Sequence, residues 1–243
     1  MVVTSEPVSH RPRLAHCDFC DEFAGGTRNA FAERYGAELK ARSVMETANF
    51  RAVPSLGQIV EGYLLIVPDR HFLALADLPD NLFAEFCDLV ERVSARLRDA
   101  YGPSVLFENG TRSIATGGCG VYHAHLHLVP LSDGQDPIEA LKQELPWSHI
   151  ESIQDIRRRA SGSASYIYYR DLRSKNYLFQ VDRLSSQHIR RLLGERTGNA
   201  EWNWRKHGRE EALVRTMNRL SLSFMRGVAT PQPAYGVIHA ALH

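Results

Sequence analysis

The chain has 243 residues, of which 23% are charged, and a formal net charge of +1, so composition excludes a broad electrostatic attraction to nucleic acid or an anionic membrane. A hydrophobic content of 44% is ordinary for a globular protein, and this length suffices to bury a full core without disulfides. The longest apolar run, 63–68, is too short to span a bilayer, and residues 1–13 lack the apolar stretch of a secretory signal. The cysteines are too few and too unevenly spaced for a disulfide framework, which predicts a cytoplasmic protein with reduced thiols: Cys17, Cys20, Cys87 and Cys119.

The first part of the chain predicts a flexible leader over residues 1–14, followed by a CxxC pair, Cys17 and Cys20. On its own, this pair is compatible with incidental core thiols, a redox pair or metal ligands. Beyond it the pattern predicts a short helix, a β-hairpin and a longer strand, in this order: 27–36, 43–47 with 49–53, and 58–67.

The clearest helix follows Asp77-Leu78-Pro79, where an acid and a proline suit a first turn. Apolar residues then recur every three or four positions as far as Leu97, with charged residues between them, and the helix is expected to end near 101–103. A strand over 104–110 runs into a polar, glycine-rich loop. That loop is either an ordinary flexible hairpin or a place where backbone approaches a phosphate closely.

Three histidines alternate with small or aliphatic residues in the next stretch, 121–130. A period of two is typical of a strand, because successive side chains point to opposite faces of a sheet. The pattern therefore predicts a strand with His123, His125 and His127 in a row on one face. Such a row is suited either to binding a metal or to supplying a nucleophile with supporting partners.

The remainder of the chain predicts helices and one pair of strands. A helix is expected from Asp136 to Leu145 and a second over 150–159. Two strands are expected next, over 166–170 and 176–181. They are followed by a helix that is capped by Ser185 or Ser186 and stops near Gly198. A last amphipathic helix is expected over 210–225, with a tail from about residue 227.

Several stretches, in order, resemble the histidine triad (HIT) superfamily of nucleotide hydrolases and transferases. The run His123-Ala124-His125-Leu126-His127-Leu128-Val129 resembles its H-φ-H-φ-H-φ-φ motif, and Cys17-Asp18-Phe19-Cys20 resembles the CxFC near the start of many members. Residues 62–71 resemble the GHxLvxPxxH segment, and Phe107-Glu108-Asn109-Gly110 lies where members carry asparagine or histidine before glycine. The resemblance covers roughly residues 17–131.

The resemblance implies an α+β fold, a HIT-like antiparallel β-sheet with a long helix packed on it. It implies a zinc-containing bacterial-type member with a catalytic domain over 15–131. Residues 132–243, on which it says little, are expected to form a C-terminal α/β extension of helices and a β-hairpin packed on that domain.

Roles follow from the resemblance residue by residue. His125 is expected to be the nucleophile that attacks an α-phosphorus to form a nucleotidyl-histidine, and His127 to contact the phosphate. The candidate contacts for the substrate phosphate and ribose are Asn109, Gly118, Cys119, Gly120 and His127. Cys119 is either a functional thiol or a small residue that permits close packing.

In zinc-containing members, a structural zinc site combines the CxxC pair, the histidine of the PxxH segment and the first triad histidine. Here those residues are Cys17, Cys20, His71 and His123. Two thiolates and two imidazoles suit tetrahedral zinc, and four protein ligands leave no open position. His123 is otherwise expected to support His125.

Two departures concern substrate recognition. Many phosphoramidate hydrolases of the family carry a ribose-binding aspartate in the region after Phe50, whereas Val53-Pro54-Ser55 has no carboxylate. Members also place Gln-Ser before the triad strand, where this chain has Cys119-Gly120. The family's ribose and leaving-group contacts at these two places therefore do not carry over to this sequence.

The predicted function is a nucleotide hydrolase that acts on a nucleoside phosphoramidate or a dinucleoside polyphosphate. An alternative is a nucleotidyltransferase or a dinucleoside-polyphosphate phosphorylase; related uridylyltransferases have glutamine at the third triad position, so His127 favours hydrolysis. A second alternative is a non-catalytic nucleotide-binding module, against which the complete triad argues.

The expected partners are a nucleotide substrate and a second copy of the chain, with no nucleic acid or membrane partner. The helix over 82–97 is a candidate interface for such a homodimer. Aromatic residues of the C-terminal part are expected in a core, over the site or at a dimer surface: Tyr166, Tyr168, Tyr169, Trp202 and Trp204.

Overall fold

The computed structural model describes residues 16–36, 41–111, 121–160, 165–181 and 185–227, the side chains of 222–227 excepted. Its α-helices are α1 (Asp18–Phe23), α2 (Ala30–Tyr35), α3 (Asp80–Tyr101), α4 (Ile138–Glu144), α5 (Ile156–Arg159), α6 (His188–Thr197) and α7 (Glu210–Gly227). Its strands are β1 (Met45–Glu46), β2 (Phe50–Pro54), β3 (Leu64–Pro68), β4 (Ser104–Thr111), β5 (Leu126–Pro130), β6 (Trp147–Ile150), β7 (Ser165–Arg170) and β8 (Asn176–Gln180). Short 3₁₀ helices cover Leu75–Asp77 and Ile153–Asp155.

All eight strands form one sheet in the order β1-β2-β3-β5-β4-β7-β8-β6, and every neighbouring pair is antiparallel. The mixed helix and antiparallel-sheet class predicted from the sequence is therefore confirmed. Strand β5 lies between β3 and β4, with His127 opposite Leu65 on one side and Phe107 on the other. The last triad histidine is thus held by two neighbouring strands.

Two apolar cores cover the two faces of the sheet. The first joins one face to the apolar side of α3, where Leu82, Phe86 and Leu89 are buried. The second joins the opposite face to α4 and α6, and includes Phe107 and Leu193. Alternation along the strands separates the two cores, because successive side chains point to opposite faces.

Strands from the C-terminal part extend the sheet. Strand β7 pairs with β4 from Leu106 to Thr111, and β8 and β6 follow it outward. Residues after 131 therefore add three strands to the sheet that holds the histidine run. The predicted domain boundary at 131 and the leader over 1–14, which lies outside the described residues, stay predictions.

The helix named as a candidate dimer interface buries its apolar face within the chain. Leu82, Phe83 and Phe86 are each no more than 6% exposed, and Leu89 and Leu97 are fully buried against the sheet. A dimer contact through this helix would therefore use its polar face, since its apolar face packs in the first core. The homodimer itself stays a prediction.

The predicted long strand 58–67 is shorter than expected, since β3 begins at Leu64. Gly62 has a φ of +89°, and the Gln58 side chain accepts from the Tyr63 N–H and donates to the Tyr63 carbonyl. This side-chain bridge closes a turn, which an apolar pattern alone does not reveal.

The predicted helix over 150–159 is also partly wrong. Residues Trp147–Ile150 form strand β6 beside β8, and the helical part is limited to Ile153–Asp155 and Ile156–Arg159. The cap predicted at Ser185 or Ser186 lies instead at Gln187, in the left-handed region with a φ of +63°. None of the helices in the described ranges is long and apolar enough to cross a membrane.

Candidate active site and metal centre

The histidine run enters the sheet later than predicted. Strand β5 begins at Leu126, and the preceding segment is anchored by the Ala124 N–H, which donates to the Phe72 carbonyl at 2.7 Å. The alternation nevertheless holds, since Ala124, Leu126 and Leu128 all lie in the first core. The histidines are therefore left to the opposite side, where each meets a different partner.

His123 is fixed by a backbone carbonyl. Its Nε2 lies 2.8 Å from the Pro68 oxygen, and because a carbonyl only accepts, Nε2 carries the proton. Nδ1 is then unprotonated, and it lies 3.4 Å from Cys17 Sγ and 3.6 Å from Cys20 Sγ. The ring thus presents a lone pair to the two thiols.

Four predicted metal ligands come together at this point. Ligand atoms of Cys17, Cys20, His71 and His123 all lie within 4.8 Å of one another, and His71 Nδ1 is 3.4 Å from Cys20 Sγ. Cys17 is the N-cap of α1, so the helix start brings both thiols to the histidines. Two sulfurs and two imidazole nitrogens are a donor set that suits a closed tetrahedral zinc site.

Burial favours the uncharged forms of Cys20, His71 and His123. It raises the pKa of Cys20 to about 12, with the neighbouring Cys17 adding to the effect, and it lowers the pKa of His123 to about 3. The pKa of His71 is also lowered by desolvation. A bound divalent cation would reverse this preference at the sulfurs, because metal coordination favours thiolates.

His125 shows the opposite ring arrangement. Its Nδ1 lies 2.6 Å from the carbonyl oxygen of His123, so Nδ1 carries the proton and donates. Nε2 therefore holds the lone pair. Burial lowers the pKa of His125, which keeps the imidazole neutral and nucleophilic.

His127 is held by two aromatic residues. Its ring stacks on Phe107, with centroids 4.2 Å apart and an interplanar angle of 6°, and its Nδ1 lies 2.7 Å from the Tyr63 hydroxyl. Burial is the largest cause that holds the pKa of His127 well below its usual value; the nearby His125 and Arg190 act in the same direction. The ring is therefore neutral and rigidly oriented.

A cleft that is partly open to solvent lies beside the last two histidines. His125, His127 and Asn109 line it, together with Arg190 and Trp204 from the C-terminal part. The Oδ1 atom of Asn109 is buried and has no hydrogen-bond partner among the described residues. An acceptor without a partner at the wall of a cleft fits the predicted role of Asn109 in substrate contact.

A buried ion pair, Arg42 with Glu22, also lines the cleft. Arg42 donates from Nε and from a terminal nitrogen to the two carboxylate oxygens of Glu22, both at 2.8 Å. Its guanidinium carbon lies 5.2 Å from the Phe31 ring centroid. The positive charge of Arg42, neutralised by Glu22, therefore lies beside an aromatic residue of the cleft wall.

Sequence reasoning missed two residues of this site, Tyr63 and Arg190. Tyr63 lay inside a recognised segment, but nothing in the pattern placed its hydroxyl against His127. Arg190 lies on α6, more than 60 residues after the triad, and carries no local motif. Of the other predicted contacts, Gly118, Cys119 and Gly120 lie outside the described residues.

The chain is similar to proteins of one family. The HIT domain family matches residues 37–134. A HIT-like protein of Chlamydia pneumoniae is 31% identical over 94 residues, which cover 37% of this chain and 82% of that protein. An adenosine 5′-monophosphoramidase of Candida albicans is 25% identical over 126 residues, covering 49% of this chain and 72% of its own length.

Among solved structures, a zinc-bound histidine triad family protein from Mycobacterium smegmatis aligns with a TM-score of 0.35 and 23% identity, covering 49% of this chain and 76% of its own. The chlamydial protein shares 31% identity over 82% of its length, and the HIT domain match covers the histidine run. The chain belongs to the histidine triad (HIT) family.

Proposed function

We propose that this protein is a nucleotide hydrolase that acts at an α-phosphorus, on a nucleoside phosphoramidate or a dinucleoside polyphosphate, through a nucleotidyl-histidine on His125. The observation that carries the proposal is the 2.6 Å hydrogen bond from His125 Nδ1 to the His123 carbonyl. It assigns the ring proton to Nδ1 and leaves the Nε2 lone pair available for attack.

The reaction has two displacements. In the first, the Nε2 lone pair forms a bond to the α-phosphorus while the bond from phosphorus to the leaving nitrogen or oxygen breaks, and the leaving group takes that electron pair and a proton from solvent. In the second, water attacks phosphorus, the phosphorus–nitrogen bond breaks and its electrons return to Nε2. A nucleoside monophosphate is released and the water proton passes to solvent.

His127 and Asn109 support these steps from the cleft wall. His127 is neutral and oriented by Phe107 and Tyr63, so its other ring nitrogen is positioned toward a substrate oxygen. Asn109 offers an unsatisfied acceptor for a hydroxyl or amine of the nucleoside. The phosphoramidase activity named for the Candida relative supports a phosphoramidate as the first substrate to test.

Trapping the intermediate tests the proposal. The protein is mixed with adenosine 5′-phosphoramidate or diadenosine polyphosphates, quenched within milliseconds and analysed by intact mass. We expect an added nucleotidyl group in the natural protein and none in His125→Asn. His149→Asn, a histidine on the exposed strand β6, is the matched control that keeps the adduct. An adduct of equal yield in His125→Asn would contradict the proposed mechanism.

The acceptor distinguishes hydrolysis from transfer. Addition of phosphate or amines to the preformed adduct leaves the product a nucleoside monophosphate if water is the acceptor. A nucleoside diphosphate as the main product would identify the enzyme as a phosphorylase, and a new phosphoramidate would identify it as a transferase; either result would contradict the proposed hydrolase activity. Tight nucleotide binding without any turnover across the panel would support a non-catalytic module instead.

We also propose that Cys17, Cys20, His71 and His123 hold a structural zinc ion. Support comes from the 4.8 Å spread of the four ligand atoms and from the lone pair that His123 Nδ1 presents to both thiols. Zinc there would join α1 to the histidine run, and four protein ligands would leave no position for substrate.

Elemental analysis of protein purified without chelator tests the zinc site. We expect roughly one zinc per chain, lost in Cys17→Ser and retained in Cys87→Ser, a free cysteine on α3 that is the matched control. The absence of zinc from the natural protein, or its retention in Cys17→Ser, would overturn the assignment.

A further inference from the structure

The contact between Tyr63 and His127 leaves one question of chemistry, namely which partner donates. The Tyr63 side chain is fully buried, and its hydroxyl lies 2.7 Å from His127 Nδ1. If Tyr63 donates, the His127 proton is on Nε2; if His127 donates, Nε2 is bare. The two tautomers offer a substrate opposite partners, a donor or an acceptor.

Arg190 lies directly against this contact. Its guanidinium carbon is 5.0 Å from the Tyr63 ring centroid, and its side chain is 5% exposed. Nε donates to the Trp202 carbonyl at 3.1 Å, and a terminal nitrogen donates to Ser55 Oγ at 3.1 Å. The other terminal nitrogen donates to the Gly57 carbonyl. These bonds hold the guanidinium in one place.

No carboxylate of the described residues forms an ion pair with Arg190, in contrast to Arg42, which is paired with Glu22. The positive charge therefore acts uncompensated on its surroundings. It favours a neutral His127, and the pKa of that ring is lowered partly for this reason. Burial raises the pKa of Tyr63, with the Arg190 charge acting in the opposite direction, so the phenol keeps its proton.

The Tyr63 hydroxyl proton has one available acceptor among the described residues. A guanidinium has five N–H donors and no acceptor, so Arg190 cannot receive it. Within the described parts of the chain, His127 Nδ1 is the acceptor at hydrogen-bond distance from the Tyr63 hydroxyl. A buried hydroxyl that donated to nothing would lose a hydrogen bond, at a cost of roughly 1–3 kcal/mol. Tyr63 therefore donates to Nδ1.

We propose that Arg190 is a positioning residue that acts through Tyr63 to hold His127 in the Nε2–H tautomer, so that the third triad histidine meets the substrate as a hydrogen-bond donor. A donor at this place stabilises charge that develops on a phosphoryl oxygen or on the leaving group. The kinetic consequence rests on the proposed function, whereas the tautomer itself does not.

The location of Arg190 gives the C-terminal part of the chain a role in the site. Helix α6 lies beyond residues 37–134, the range of the family match. Ser55 and Gly57, which Arg190 contacts, lie between β2 and β3, next to Tyr63. The segment after the triad therefore supplies an electrostatic constraint as well as apolar cover for one face of the sheet.

Nitrogen-15 NMR of the full-length protein, labelled at histidine, reads the tautomer directly, with the His127 signals identified by their loss in His127→Asn. We expect the Nε2–H pattern for His127 in the natural protein. In Tyr63→Phe we expect a substantial Nδ1–H population, because the phenol no longer occupies Nδ1. Tyr168→Phe is the matched control, a buried hydroxyl that bonds Asn176 at 2.8 Å in the other core.

A pair of substitutions at Arg190 separates its role from packing. Arg190→Lys keeps a positive group that only donates, whereas Arg190→Gln removes the charge and introduces a carbonyl acceptor on a shorter side chain. Both lose contacts to the Trp202, Ser55 and Gly57 acceptors, so a purely structural role predicts equal effects. We expect the Nε2–H tautomer to persist in the lysine variant and Nδ1–H to appear in the glutamine variant.

Kinetics provide the second measurement. We expect kcat to fall roughly tenfold in Tyr63→Phe and in Arg190→Gln, with KM changed much less and with Arg190→Lys largely restoring kcat. The proposal would be overturned by an Nδ1–H tautomer in the natural protein, by identical tautomers in the glutamine and lysine variants, or by a rise in KM alone, which would make Arg190 a direct substrate contact. If no substrate is turned over, the proposed function fails, but the NMR result still decides this inference.

Discussion

The two faces of the central sheet bury very different groups. The face under α3 is packed almost entirely with aliphatic and aromatic side chains; its buried carboxylate, Glu108, accepts from the Leu75 N–H and from the Tyr166 hydroxyl, both at 2.6 Å. The face under α6 also has an apolar core, but it carries the triad, Arg190 and the pair of Arg42 with Glu22.

This difference shows where the sequence is constrained by stability and where by chemistry. A buried apolar side chain is interchangeable with another of similar size, whereas a buried polar group must find a particular partner. On the α6 side each histidine has its own partner. His123 bonds the Pro68 carbonyl, His125 bonds the His123 carbonyl and His127 bonds the Tyr63 hydroxyl. Three identical side chains thereby present different nitrogens, which is what divides their roles.

The largest expected effect is on the rate at the α6 face. His125→Ala removes the proposed nucleophile, and we expect kcat to fall by about 10⁴-fold or more. The free energy of unfolding should change by only about 1 kcal/mol, since the partly exposed ring donates one hydrogen bond to a backbone carbonyl. Steady-state kinetics and urea unfolding of the same preparation check both parts. A loss of stability large enough to explain the inactivity would contradict the assignment of a chemical rather than a structural role to this residue.

The α3 face should show the reverse. Phe86 is fully buried and packs against Phe50 and Phe83, with ring centroids 5.7 and 5.6 Å away. Phe86→Ala should lower the free energy of unfolding by about 3–5 kcal/mol through lost burial and a cavity. At a temperature where the variant is folded, kcat should stay within about twofold of the natural value, because the site lies across the sheet. A much larger loss of kcat would show that the two faces are coupled.

The ion pair in the cleft wall should have an intermediate effect. Glu22→Gln leaves the Arg42 guanidinium, whose side chain is 3% exposed, without its counter-charge. We expect a loss of about 3 kcal/mol in unfolding free energy, because a buried charge is left unpaired. Asp88→Asn breaks the exposed pair of Asp88 with Arg92 on α3 and should cost less than about 0.5 kcal/mol. Equal costs for the two variants would contradict the burial argument.

The smallest effect concerns pH. The pKa of His127 is lowered well below 6.5 in the folded protein, so below pH 6.5 the unfolded chain binds a proton that the folded chain does not. Stability should therefore be complete above about pH 6.5 and decline as the pH falls, by up to about 1.4 kcal/mol per pH unit from this residue. His127→Phe should show a shallower decline between about pH 6.5 and 5.5 in urea unfolding series. An unchanged slope would place the proton uptake elsewhere.

The sequence predicted the elements whose pattern is local. The spacing from Leu82 to Leu97 gave α3, because one apolar stripe every 3.6 residues is enough to define a buried helix face. It failed at residues 58–63, where one glutamine side chain bridges a turn, and it did not predict strand β6 over 147–150, which pairs with β8. The first depends on a side-chain hydrogen bond that apolar spacing does not encode, and the second on a partner strand far along the chain.

What the sequence by itself determined is the family, the alternation that separates the histidines from the core, and the four residues that gather at the predicted metal site. Tertiary structure alone decided which nitrogen of each histidine faces which neighbour, and that Tyr63 and Arg190 belong to the site. The reason is physical: residue spacing fixes the face on which a side chain lies, whereas a tautomer depends on the donor or acceptor that another segment of the chain brings within 3 Å of the ring.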